Sequence, residues 1–143
     1  MNEAQAAKKY LFATLTGAAA VTALVSTRIY DSAAPQDAVL PYVVYSLNSG
    51  RDLVASAAHR LTTALRFSVL AWGEGGSYSP EDAIASAVDD ALDQTSGTAT
   101  VGAQAYTILS CYREETLCFA RLDAGRRIQA SVGVFQVLVT TCT

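Results

Sequence analysis

His59, the chain's only histidine, stands next to Arg60, and three acids, Asp89, Asp90 and Asp93, cluster further on. Nucleophile–base catalysis would need a Ser or Cys held against His59 and a third group to orient the ring. No GxSxG or comparable element supplies them, so His59 reads as a surface-loop residue. The aspartates fall late in a helical pattern, where acids oppose the helix dipole, and they lack the alternating ligand spacing of a calcium loop. They read as a solvated face. One histidine with scattered cysteines does not make a closed zinc site.

The glycine cluster Trp72–Ser77, "WGEGGS", raises the phosphate-loop question because it separates a strand-like run from a helix-like one. It has neither a GK[ST] ending nor GxGxxG spacing, so no lysine follows to meet a phosphate. It reads as a strand-to-helix turn. Cys111, Cys118 and Cys142 are an odd number without CxxC spacing, which suits reduced thiols used as small hydrophobes. "REE", Arg113–Glu115, is expected at a hairpin tip. A turn centred on Glu114 and Glu115 would set Cys111 opposite Cys118, although a disulfide is not expected in a reducing compartment.

The elements that would position these residues follow from periodicity. Ala7, Tyr10, Leu11, Thr14 and Leu15 share one helical face over residues 3 to about 16, and Gly17 offers a break before a second short helix, "AAAVTALV", that runs to Ser26. "TRIYDSAAPQDAVL" then carries Pro35 into "PYVVYSL", a β-branched and aromatic strand opened by Pro41. Residues 49–60 lack clear periodicity and are expected as a long polar loop. In "LTTALRFSVLAW", Leu65, Phe67, Val69 and Ala71 alternate with Ala64, Arg66, Ser68 and Leu70, which suggests a strand with one buried face.

Ser79 as cap, Pro80 at the first helical position, and Glu81 and Asp82 in the first turn mark the second main helix. Its apolar stripe is Ile84, Ala85, Val88, Ala91 and Leu92. "DQTSGTAT" is expected to be a loop. Strands are expected over about 101–112, 116–122 and 127–139, the last two joined at "DAGR". The last strand is apolar on both faces from Val132 to Val139, and at a sheet edge it would need a second protein surface to cover it. The result is one α+β domain spanning residues 1–143, a largely antiparallel sheet of about five strands with two main helices on one face.

The 143 residues carry a formal charge of −3 with acids and bases interspersed, so no basic stripe marks nucleic-acid binding. The most lipophilic window, Gly17–Val25, is far short of the roughly 20 residues a membrane span needs. The expectation is a cytosolic, non-enzymatic protein without cofactor or metal, working through loops and strand edges.

The order "LFATLTGAAAVTALV", "RIY", "LPYVVY", "LRFSVLAWGE", "YSPEDAIASAVDDAL" and a closing meander resembles the tail-completion family of tailed bacteriophages. These are the tail terminator, or tail-to-head joining, proteins of siphophage-type particles and related gene transfer particles. The resemblance runs over about residues 5–140, carried by Arg28-Ile29-Tyr30, Pro35, Pro41-Tyr42 and the Trp72–Pro80 junction. It implies a virion protein of the tail or neck, assembled in the host cytoplasm, forming a ring, commonly a hexamer, on the finished tail tube. Its partners would be other copies of itself, the tail tube protein and the head–tail connector or stopper protein, with DNA passing through the lumen unread. Contacts are expected at Arg51, Asp52, His59, Arg60, Glu114 and Glu115. The alternatives are a head-completion adaptor of the same neck, or a small dimeric α+β ligand-binding domain.

Overall fold

A computed structural model describes residues 2–54, 60–74, 79–123 and 125–141. The chain begins with α1 (Asn2–Gly17) and α2 (Ala19–Val25), broken at Ala18, whose backbone is extended. Ala7, Tyr10, Leu11 and Leu15 are buried, as the spacing predicts, and Ala4 and Ala6 widen the stripe. Three strands follow the second helix break and its return: β1 (Ile29–Asp31), β2 (Tyr42–Val54) and β3 (Arg60–Glu74). Then come α3 (Ser79–Leu92), β4 (Thr95–Val101), β5 (Gln104–Asp123) and β6 (Arg126–Thr141). The sheet order is β1-β2-β3-β6-β5-β4, antiparallel except for the parallel pair β1–β2. Six strands therefore stand where about five were expected, and the short helix expected over "AAAVTALV" is α2, beside the two main ones.

All three helices bury their apolar stripes on one sheet face. Leu11, Leu15, Val21, Ile84, Val88 and Leu92 meet Val43, Leu65, Phe67, Val69, Phe135 and Val137 there. Fully burying a Leu or Phe contributes about 1.5–3 kcal/mol, so this layer holds the helices to the sheet. Tyr10 fixes α1 over β4. Its ring lies so close to Gly97 that a Cβ there would sit 2.8 Å from the ring, and its hydroxyl donates to Thr95 Oγ1 at 2.6 Å.

The opposite face carries a smaller cluster of Val44, Trp72, Ile128, Ala130, Val132 and Val134, packed by Tyr30, Ala34, Leu40 and Tyr42. The proline-bearing connection between β1 and β2 thus returns over the sheet. Arg28 Nε donates to the Pro41 carbonyl at 2.8 Å, and Tyr30 meets Tyr42 edge to face at 5.8 Å. Both long side chains pin the connection within the chain. The Leu40–Pro41 peptide is cis.

Four sequence expectations are corrected. Residues 49–54 continue β2, and "TSGTATV" is a strand paired with β5 rather than a loop. β5 runs unbroken through Glu114 and Glu115, where a β-bulge replaces the expected turn. A bulge absorbs one extra residue while the strand continues, so polar residues there do not require a reversal. β6, finally, is central, between β3 and β5, and its two apolar faces are covered by the two clusters of this chain.

Candidate functional site

The sheet face away from the helices is left open beside the smaller cluster, and the charged residues gather there. Arg66 of β3, Gln136 of β6 and Tyr112 of β5 stand in one cross-strand row. The Tyr112 hydroxyl donates to Gln136 Oε1 at 2.5 Å. Arg66 forks between two carboxylates, its Nε 3.0 Å from Glu114 Oε2 and its Nη2 2.8 Å from Glu115 Oε1. The bulge at Glu114 lets two consecutive residues of β5 reach the same guanidinium. Beside them a groove of about 300 Å³ is lined by Ser49, Gly50, Arg51, Ala64, Arg66, Glu114 and Gln136.

The structure therefore brings Arg51, Glu114 and Glu115 to one surface, though as strand residues. Asp52 points elsewhere, accepting from Thr63 Oγ1 at 3.0 Å on the helix side of the sheet. Arg60 opens β3, paired in register with Val54. His59 lies outside the described residues. Arg66 and Gln136, which organise the cluster, were not among the expected contacts. The alternation in "LRFSV" places Arg66 on the face opposite Leu65 and Phe67. Its partners stayed hidden because Glu114 and Glu115 were assigned to a turn.

Around α3 a second polar set ties helix to sheet. Asp82 accepts from Ser131 Oγ at 2.5 Å, Arg113 Nη1 pairs with Asp89 at 2.9 Å, and the Arg113 N–H donates to Asp93 Oδ1 at 2.9 Å. Asp89 and Asp93, expected on a solvated face, are thus engaged with Arg113 of β5. Cys111, buried beneath this set, has its thiol pushed up to about 12 by burial, with the Asp93 carboxylate adding to the effect. Among the described residues no three His, Cys, Asp or Glu side chains are grouped to hold a metal, and no helix is long and apolar enough to cross a membrane. The arrangement offers charge-paired, strand-borne surface for contact with another macromolecule.

Comparison with known proteins follows the same line. The model of a family described as "Tail completion protein gp17" matches residues 9–134. No curated protein matches. Among solved structures, a chain of "Virion of native gene transfer agent (GTA) particle" superposes with a TM-score of 0.73 at 22% identity, covering 96% of this chain and 97% of that one. That likeness is one of fold.

Proposed function

The chain belongs to the tail completion protein gp17 family, and on that premise we propose that it is a structural virion protein that finishes a tail. Copies form a ring, commonly a hexamer, on the last tier of the tail tube, stop further polymerisation and present a surface to the head connector. The observation that carries this reading is the family match over residues 9–134. The occurrence of the same fold in a gene transfer agent virion supports it. DNA passes through the ring without being read, in keeping with a net charge of −3 and no basic stripe. Glu114, Glu115 and Arg51 fit contact roles, since each lies on the open face of the sheet.

The protein works by contact and carries no catalytic step in this reading. Removing the gene from its particle tests the role directly. Overlong tail tubes, restored to normal length by supplying the protein, are the expected result. Tails of normal length that fail to join heads would replace termination with an adaptor role. Normal, infectious particles would overturn both.

A further inference from the structure

The two edges of the sheet are stepped, and the steps match. β1 covers β2 only opposite Val43–Tyr45, and from Ser46 to Arg51 no strand among the described residues lies on the outer side of β2. β4 covers β5 only from Gln104 to Cys111; past it the Arg113 N–H is taken by Asp93, and from Thr116 to Leu122 no strand among the described residues lies on the outer side of β5. The registers set the two covered stretches at opposite ends of the sheet. Val43–Tyr45 are level, through β3 and β6, with Cys118–Thr116, whereas Cys111 is level with Gly50. Each edge thus projects where the other recedes. The shoulders of both steps carry a bulge, near Asn48 and Glu114, on either side of the Phe67–Phe135 pair.

One apolar row crosses this sheet on the face away from the helices: Tyr30, Val44, Leu70, Val132, Leu117. Its inner members belong to the smaller cluster, but Leu117, at the open edge, remains 51% exposed. β5 runs opposite in direction to β1, because three antiparallel pairings and one parallel pairing separate them. A second copy placed beside the first in the same orientation therefore sets its β1 antiparallel to the open part of β5. Tyr30 of that copy then falls beside Leu117, and its Asp31 beside Thr116. In the same placement β4 falls alongside the neighbour's Gly50–Asp52, with Thr95 level with Gly50 and Gly97 level with Asp52.

We propose that copies of this chain associate head to tail through these stepped edges, with Leu117 of one seated against Tyr30 of the next. The proposal rests on the ring reading and supplies its contact. A second copy is favoured over an unrelated partner because both halves of the match are edges of one chain, aligned by one register. Such a heterologous contact repeats, and it closes into a ring when its rotation divides the circle. From Thr116 to Ala120 the open stretch of β5 has neither a charged residue nor a proline, the residues that commonly blunt an edge. At β1 the contact is carried by side chains, since the Ile29 N–H is held by Thr27 and the Asp31 carbonyl by Ala33.

Asp31→Cys and Thr116→Cys, both at exposed positions, combined in a Cys118→Ser chain, test the contact. Oxidation of the purified protein and of assembled particles should give a ladder of disulfide-linked multimers on a non-reducing gel. Neither single cysteine substitution should give one. Leu117→Arg should abolish multimers seen by electron microscopy while leaving the melting curve in place. Rings that form without a ladder and survive Leu117→Arg would overturn the edge contact and leave the ring reading standing. Particles carrying a single copy would overturn both.

Discussion

Arg66 and Glu115, 49 residues apart in sequence, form an ion pair at 2.8 Å that reaches across the intervening strand β6. Both side chains are roughly half exposed, at 44% and 50%. Exposed pairs of this kind contribute about 0.2–1 kcal/mol, because solvent screens them and ordering the side chains opposes them. A double-mutant cycle of Arg66→Met and Glu115→Gln, read by urea unfolding, should give a coupling below about 1 kcal/mol. A coupling above 2 kcal/mol would mean the cluster is shielded from water in the isolated chain. The fork therefore orders the bulge at Glu114 more than it stabilises the fold.

Glu81 and Gly73 predict a larger effect. Glu81 in the first turn of α3 is fully buried, and among the described residues neither carboxyl oxygen has a hydrogen-bond partner. The carboxyl lies against Gly73, where an added Cβ would come 2.4 Å from Oε2. A buried polar group without a partner costs about 1–3 kcal/mol and a charged one more, against about 0.3–2 kcal/mol regained from the helix dipole. Glu81→Met, similar in length and apolar, should raise the melting temperature by several degrees. A lower melting temperature would reveal a partner for the carboxyl. Gly73→Ala in the parent chain should destabilise by about 1–3 kcal/mol, since the site is already full.

These two sites mark the limits of reading the sequence. The helix faces were legible because Tyr10, Leu11 and Leu15, and later Ile84, Val88 and Leu92, repeat at helical spacing. The burial of Leu65, Phe67, Val69 and Ala71 was legible from strict alternation. Two kinds of feature were not. "TSGTATV" has small polar residues on one side and sits half-exposed at an edge, so pairing with β5, rather than its own pattern, makes it a strand. Arg113, Glu114 and Glu115 are charged and consecutive, which suggests a turn, yet each charge is answered from another element, Asp89 from α3 and Arg66 from β3. Long-range partners of that sort leave no trace in local composition. Arg51 and Glu114 were named from the sequence as loop residues and meet at one groove as strand residues, and Asp52, beside Arg51, faces the other side because neighbours alternate.

The cysteines give a third prediction. Cys111 and Cys118 lie on the single strand β5, seven residues apart, or about 20 Å or more at strand rise, so no intrachain bond can join them. Cys111 is buried and its thiol is held near 12, whereas Cys118 is exposed. In a Cys142→Ser chain at pH 8, a disulfide reagent should modify one thiol rapidly and the second only after denaturation. Rapid reaction of both would show that β5 opens beside β4.

Alkaline pH supplies the last. Burial, and secondarily the Asp31 carboxylate, pushes the Tyr45 hydroxyl up to about 12 from an ordinary 10.0. Burial and Asp93 push the Cys111 thiol up to about 12 from 9.0. Both groups are neutral when protonated, and folding raises both. The unfolded chain therefore loses their protons at lower pH than the native one does. Their contribution to stability is full below about pH 9 and declines as the pH rises toward 12, by at most about 1.4 kcal/mol per pH unit for each group. Urea unfolding from pH 8 to 11 should show Cys111 acting first, from about pH 9, and Tyr45 joining from about pH 10. Cys111→Ala should flatten the first segment and leave the second, and Tyr45→Phe should do the reverse. A curve that keeps its shape in both variants would place the alkaline sensitivity outside the two residues that the helix layer covers.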